Sequence, residues 1–435
     1  MSPSRLARRL EPLRIPDYRR YIAATVLVGL SLEIQGAALF WQVYQLTHSP
    51  VLVGMIGLAE VLPVMGLSLI AGSITDRTDR RRLVALATLA FVVCALGLWY
   101  CALLPQHFGL QWTLFALTAL GGAARSFFLP ARSALGAELV PREQFSEAVS
   151  LRSAARQLAS VVGPGVGGVL IAVCHGALWL AYGTEAVLML VGLGATLAIR
   201  HRSASPAQQR EPWRRSFQDG LRFVWRDPTL LGAMSLDLFA VLFGGAVAML
   251  PAFAHTVLKV GPGAYGWLRS GQSIGAIVTW LGMSLAPTIQ RSGLVMLWAV
   301  TGFGICWMVI SYSPYFLLTL LMLVIAGGLD YLSVVVRTTL IQMRTPVNML
   351  GRVTAVSAIF IGSSNELGGF ESGVMARAMG LQPSVLVGGG LTILTVLATA
   401  VLCPSLRRLG PIDRLEVSPQ AKALAVAPPP PPGPA

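Results

Sequence analysis

The sequence predicts an all-α membrane protein with 12 transmembrane helices in two pseudo-symmetric six-helix bundles. Three observations support this fold class. Long apolar runs alternate with short arginine-rich loops, and residues that constrain the backbone recur in the second part of the chain. The composition is 54% hydrophobic and only 12% charged, whereas an ordinary soluble domain has about a quarter charged residues.

The clearest pair of predicted spans flanks a charged turn. The apolar runs 51–71 and 83–104 are joined by a short segment, Gly72-Ser73-Ile74-Thr75-Asp76-Arg77-Thr78-Asp79-Arg80-Arg81-Arg82. Both runs are long enough to cross a bilayer, which takes roughly 20 helical residues. A connection this short must turn at one membrane face, and its arginines place that face in the cytoplasm, where short basic loops are retained.

The same pattern predicts the other spans and divides the chain into segments. Ten further spans are expected at 21–44, from about Trp112, and at 147–173, 178–199, 229–253, 264–286, 294–312, 315–339, 353–375 and 385–402. The predicted organisation is a basic cytoplasmic arm at 1–20, a six-helix bundle at 21–199, a cytoplasmic linker at 200–228, a second six-helix bundle at 229–402 and a disordered proline-rich cytoplasmic tail at 403–435. Within the linker, apolar residues at helical spacing predict an amphipathic helix on the membrane surface; they are Trp213, Phe217, Leu221 and Val224.

An internal repeat supports two related bundles. A shift of 205 residues without gaps aligns glycine, proline and arginine positions, namely Gly122 with Gly327, Arg132 with Arg337, Pro141 with Pro346, Gly163 with Gly368 and Gly168 with Gly373. Such residues constrain the backbone or the topology. Duplication of a six-helix unit is the simplest cause.

Composition and motifs exclude several other functions. The net charge of +14 could indicate nucleic-acid binding, but the basic residues are dispersed among loops, so no nucleic-acid partner is expected. The five cysteines form no metal-ligand pattern, and no phosphate-binding glycine loop is present. No histidine and acid cluster falls within a span. We therefore expect neither an enzyme, nor a metal site, nor a bound cofactor.

The charged turn carries the first family resemblance. The pattern Gly-x-x-x-Asp-Arg-x-x-Arg-Arg, formed by Gly72, Asp76, Arg77, Arg80 and Arg81, resembles the signature loop between helices 2 and 3 of the major facilitator superfamily of secondary transporters. The resemblance implies two parallel six-helix halves that alternate access to a central cavity. It also implies a gating role for this loop, with Asp76 as a latch on the start of span 11.

A glycine-rich stretch in span 5 narrows the resemblance. Gly163 and Gly167 lie four residues apart, as do Pro164 and Gly168, so one helix face lacks side chains and another helix can approach closely. Close packing alone is the plainer explanation. The pattern Gly-Pro-x-x-Gly-Gly nevertheless resembles the motif of the antiporter branches, which export their substrates.

Three further stretches, 129–135, 138–143 and 220–224 followed by Asp227-Pro228, resemble the enterobactin-exporter-like group of bacterial facilitators. This resemblance extends over nearly the whole chain. It implies efflux of a siderophore-like or drug-like small molecule.

Ionisable residues within spans are costly and therefore are candidates for function. Five are selected as proton-coupling or cavity residues: Glu33, Arg125, Asp237, Asp330 and Glu366. Acids that face one cavity can take up a proton on one side and release it when substrate binds. A structural hydrogen bond to a neighbouring helix is the alternative for each acid. Arg125 and Asp330 occupy equivalent positions in the repeat and predict either a pair between the bundles or separate roles.

These observations lead to one prediction with two alternatives. The chain is expected to be a monomeric multi-pass transporter of the bacterial inner membrane, with both termini in the cytoplasm. It would export a small organic molecule in exchange for protons, with the proton gradient as driving force, so that its partners are the substrate, protons and the lipid bilayer. The alternatives are an importer or symporter of a small metabolite and a membrane receptor that binds a ligand without transporting it.

Overall fold

The computed structural model describes residues 10–104, 109–201, 213–285 and 289–411. Within these ranges the chain forms helices and no β-strand. The helices of 14 residues or more are α1 Pro16–Thr47, α2 Pro50–Arg77, α3 Arg80–Leu103, α4 Leu110–Glu138, α5 Phe145–Val173, α6 Trp179–Leu197, α7 Trp213–Arg226, α8 Pro228–Gly244, α9 Pro262–Leu285, α10 Ser292–Tyr312, α11 Phe316–Arg344, α12 Val347–Met379 and α13 Leu381–Leu402.

Ten segments of the described chain are long and apolar enough to cross a membrane. They are α1 to α6, the segment that starts with α8, α10, α11 and α13. Helix α8 ends at Gly244 and continues through short 3-10 and π turns, so that Pro228–Val257 forms one span. Helices α9 and α12, of 24 and 33 residues, pack among these ten. The exact number of 12 spans stays a prediction.

Polar side chains cap several helices where the apolar runs begin. Ser49 accepts a hydrogen bond from Leu52 N at the start of α2. Asp79 accepts from the backbone amides of Arg81 and Arg82 at the start of α3, and Asp227 accepts from two amides at the start of α8. The first amides of a helix have no partner within the helix. These caps therefore determine where the spans begin.

The helices pack as two similar groups. In the first half, α1 packs on α5 and α6, α4 packs on α2 and α3, and α3 packs on α6. In the second half, α8 packs on α12 and α13, α11 packs on α9 and α10, and α10 packs on α13. The two arrangements correspond helix by helix, which is the pseudo-symmetry predicted from the repeat. The halves meet along two seams, α5 with α9 and α2 with α12.

Helix α7 lies where the apolar periodicity of the linker predicts a helix. Phe223 and Val224 on it are buried, and Asp219 forms an ion pair of 3.1 Å with Arg352 of α12. The side chain of Trp213 lies outside the described part of the structure. Residue contacts therefore attach α7 to the second half.

The packed part of the chain extends further towards both termini than the sequence predicts. Helix α1 begins at Pro16, within the predicted arm at 1–20, because the buried Tyr18 donates a hydrogen bond of 2.7 Å to Ala148 O. The start of the predicted tail at 403–435 is also packed. Leu406 there is fully buried, and Ser292 donates a hydrogen bond of 2.8 Å to Gly410 O. Residues 1–9, 202–212 and 412–435 lie outside the described residues.

The seam between α5 and α9 depends on glycine. A Cβ atom at Gly168 would lie 2.6 Å from Pro262 O and 2.7 Å from Gly266 Cα. The obstructing atoms belong to the backbone and cannot rotate away. The two helices can therefore touch only because residue 168 has no side chain.

We expect Gly168→Ala to lower the thermal unfolding midpoint of the purified protein, because the added methyl group separates α5 from α9. Overpacking of this kind costs about 1–3 kcal/mol. Gly194→Ala is the matched control, since a Cβ atom at Gly194 meets nothing within 4 Å. Equal midpoints for the two variants would contradict the close contact.

Candidate functional site

A charged cavity with two adjoining lobes lies between the two halves. The smaller lobe has a volume of about 210 Å³ and is bordered mainly by α1, α2 and α4 of the first half. The larger lobe, about 420 Å³, is bordered by helices of both halves. Four residues line both lobes: Glu33, Phe40, Arg269 and Glu366.

Arg269 is the central cation of this cavity. It projects from α9 of the second half towards α1 of the first half. Its Cζ atom lies 4.8 Å from the centre of the Phe40 ring, and a Cβ atom at Gly36 would lie 3.0 Å from its Nη2 atom. Glu33 and Glu366 border the same two lobes, so one cation and two acids share this space.

The two carboxylates reach Arg269 from opposite halves. Glu33 lies near the middle of α1, and its Cβ atom packs against Gly163 of α5. Glu366 lies on α12, and its Oε2 atom packs against Gly57 of α2. Each acid is therefore seated on a glycine of a neighbouring helix, which leaves room for the side chain beside the cavity.

Arg125 and Asp330, which are equivalent in the repeat, are not paired. Arg125 forms an ion pair with Glu60 of α2 in the smaller lobe. Asp330 lines the larger lobe, where it has no ion pair with a described residue. The structure therefore gives the two residues separate surroundings within the cavity.

Asp237 lies apart from the residues that line the two lobes. It is 5% exposed and forms an ion pair with Arg337 of α11, which is 1% exposed. Both residues belong to the second half. This geometry favours the structural alternative for Asp237, namely an ionic contact that joins α8 to α11.

The charged loop between α2 and α3 is held within the first half. Arg80 forms an ion pair with Glu138 at the end of α4, and Arg81 donates a hydrogen bond of 2.8 Å to Leu197 O at the end of α6. Arg77 is exposed, and Gly72 borders open space. The side chain of Asp76 lies outside the described part of the structure, so its role as a latch on α12 stays a prediction.

The glycine-rich stretch of α5 faces two different neighbours. Gly163 faces Glu33, and Gly167 faces Ile34 and Ala37 of α1. Gly168 faces α9, as described above. Pro164 lies inside the helix and is buried, and its carbonyl oxygen is close to Gly266.

Aromatic rings bring the halves together at the end remote from the arginine-rich loops. The ring centroids of Tyr44 and His48 lie 5.8 Å and 5.9 Å from that of His255, which follows α8. Trp41 and Tyr265 approach to 5.3 Å nearby. Residues of both halves are thus in contact at this end of the bundle.

Sequence reasoning missed two cavity residues. Glu60 is not among the five residues selected from the sequence, yet it lines the smaller lobe. Arg269 was not selected, although it interrupts the apolar run 264–286 as clearly as Arg125 interrupts span 4. The cost of an unpaired charge within a span was the signal that could have found it. Among the described residues, no group of three or more His, Cys, Asp or Glu side chains is placed to hold a metal ion.

Two six-helix halves around a central charged cavity are the architecture of a secondary membrane transporter of the major facilitator type. The chain belongs to the family of transmembrane secretion effectors, which matches residues 7–427. It is therefore a multi-pass transporter of a small molecule in a lipid bilayer and not an enzyme.

Curated relatives and solved structures agree with this family. The chain is 28% identical over 392 residues to the enterobactin exporter EntS of Shigella boydii, covering 89% of this chain and 92% of the relative. It is 27% identical over 401 residues to the multidrug efflux pump Tap of Mycolicibacterium fortuitum, covering 89% and 95%. Among solved structures, a D-xylose-proton symporter superposes with a TM-score of 0.70 at 14% sequence identity, covering 90% of this chain and 99% of the symporter. The nucleoside transporter NupG superposes with a TM-score of 0.65 at 14% sequence identity, covering 88% of this chain and 98% of NupG.

We expect Asp237→Asn to destabilise the protein, because it leaves the guanidinium of Arg337 buried without a counter-charge. Removing one partner of a buried pair costs about 3–5 kcal/mol. The measurement is thermal unfolding in detergent. Asp330→Asn is the control, because Asp330 has no ion pair with a described residue and should change the midpoint little. A double variant, Asp237→Leu with Arg337→Leu, should recover stability, because it removes both charges. If Asp237→Asn alone is as stable as the native protein, the ionic contact does not stabilise the fold.

Proposed function

We propose that this transporter exports a small organic molecule across the bacterial inner membrane in exchange for protons. Export would proceed by alternating access, with one half rocking against the other around the two-lobed cavity. The observation that carries the proposal is the position of Glu33 and Glu366. These two carboxylates come from opposite halves and border both lobes.

Carboxylates in this position suit exchange of a proton for a substrate. An acid shielded from water holds its proton more tightly, and a nearby positive charge favours release of that proton. A substrate that enters either lobe comes within reach of the same acids. Proton and substrate would then compete for one site, which is the requirement for antiport.

The named functions of the relatives support the direction and the kind of substrate. EntS is an enterobactin exporter, and Tap is a multidrug efflux pump. A siderophore-like or drug-like molecule is the substrate class that agrees with both names. The glycine and proline pattern of α5 resembles that of antiporters, which supports exchange as the mode of coupling.

The arginine-rich loops support the orientation. Arg77, Arg80, Arg81 and Arg82 lie between α2 and α3, and short basic loops are retained on the cytoplasmic side. With 12 spans, we therefore expect both termini in the cytoplasm. The monomer is the expected functional unit, because the cavity is formed by the two halves of one chain.

The direction of transport is testable in inside-out vesicles that contain the full-length protein. With an acidic lumen, we expect a catecholate siderophore or a drug-like dye from a small panel to accumulate in the lumen, and a protonophore to abolish the accumulation. Depletion of the compound from the lumen under the same gradient would instead indicate a symporter. Binding without flux would indicate a receptor.

We expect Glu33→Gln to reduce proton-driven accumulation by about tenfold or more, because an amide cannot take up or release the proton. The amount of protein in the membrane should be unchanged. Glu371→Gln is the control, since Glu371 does not border either lobe. Equal accumulation by Glu33→Gln and the native protein would exclude Glu33 from coupling.

A further inference from the structure

The charge at the centre of the cavity comes from three side chains. Glu33 of α1, Arg269 of α9 and Glu366 of α12 all border both lobes, so the three charges share one space. Two carboxylates and one guanidinium have a formal charge of one negative when both acids are ionised. An uncompensated charge in a medium of low dielectric constant is costly. One additional positive charge makes the group neutral.

Among the other described ionisable groups near the cavity, Asp330 alone could add to this sum. Glu60 and Arg125 pair with each other in the smaller lobe and are neutral together. The phenol of Tyr265 lies beside Arg269 and is uncharged at neutral pH. Asp330 borders only the larger lobe and has no ion pair with a described residue. Asp330 is present in the native protein and in every variant, so its charge does not enter the differences between them.

We propose that Glu33, Arg269 and Glu366 form one proton-binding unit across the two halves, in which Arg269 limits the number of protons held to one. This inference rests on the proposed proton exchange and specifies its site. The unit accepts either one proton or one positively charged group of the substrate, since either makes it neutral. Arg269 is a positioning residue here, because it acts through the two acids.

Arg269 and Glu366 both belong to the second half, but their side chains pack against the first half. Arg269 lies against Gly36 and over Phe40, both on the same helix as Glu33. Glu366 extends from the second half towards Gly57 of the first half. In this state the guanidinium therefore packs on the first half, whereas its backbone belongs to the second half.

Carbodiimide labelling tests the proposal without a substrate. Dicyclohexylcarbodiimide reacts with protonated carboxyl groups in apolar surroundings, and mass spectrometry of the full-length protein in liposomes gives the labelled fraction of Glu33 between about pH 5 and about pH 9. In the native protein we expect labelling to rise as the pH falls. If Glu33 remains unlabelled over this whole range, the proposal is overturned.

Three variants then report the charge of the unit. Arg269→Gln removes the cation, so the pH of half-labelling should rise by about one unit or more. Glu366→Gln removes the second acid and leaves Arg269 to Glu33 alone, so the pH of half-labelling should fall. The double variant Arg269→Gln with Glu366→Gln should fall between the two single variants. An unchanged value in both single variants would reject the proposal.

Arg269→Lys separates charge from packing. It keeps the positive charge, so the half-labelling pH should stay near the native value; a rise as large as that of Arg269→Gln would show that the charge of residue 269 is not the cause. Glu371→Gln, on the same helix as Glu366 but away from both lobes, should leave the value unchanged. Because labelling requires no substrate, its result is independent of whether the vesicle assay detects efflux.

Discussion

The contact of Arg269 with α1 is the interaction on which the centre of this transporter depends. The guanidinium lies over Phe40 and beside Gly36, where a Cβ atom would lie 3.0 Å from its Nη2 atom. A long charged side chain is costly inside a membrane unless it meets opposite charge, and Glu33 and Glu366 provide it. One arginine thus shares both lobes of the cavity with an acid from each half.

Glycine determines where those acids can lie. The glycine-rich stretch of α5 has two structural tasks that are separate in space: Gly163 faces Glu33 on α1, whereas Gly168 faces Gly266 on α9. One end of the stretch seats a cavity acid, and the other joins the halves. Gly57 seats Glu366 in the same manner on α2. A motif that resembles those of antiporters therefore has a physical connection to the charged cavity.

The sequence was sufficient for the fold class because long apolar runs and arginine-rich turns are governed by the bilayer, which acts on each segment locally. The ends of the bundle were less predictable. The early start of α1 depends on Tyr18 reaching Ala148, 130 residues away in the chain, and no local pattern reports such a contact.

The candidate site was predictable in part for the same reason. An ionisable residue within a span can be recognised from the sequence as a candidate site residue. Its ion-pair partner lies on another helix, and the sequence does not show which one. Asp237 pairs with Arg337 and Arg125 with Glu60, so the equivalence of Arg125 and Asp330 in the repeat did not make them a pair. Arg269 illustrates the limit most clearly. Its role depends on packing against α1, and the sequence of its own helix, α9, does not show that contact.

The division of the three central charges between the halves has a mechanical consequence. Arg269 and Glu366 move with the second half, whereas Glu33 moves with the first. In the described state the rings of Tyr44, His48 and His255 are in contact at one end of the bundle, and Arg269 borders the same two lobes as Glu33. Any rocking that separates the halves at this level withdraws the cation from Glu33 but leaves it near Glu366. Since opposite charge favours the ionised form of an acid, the same motion that changes access to the cavity also changes how readily Glu33 holds a proton.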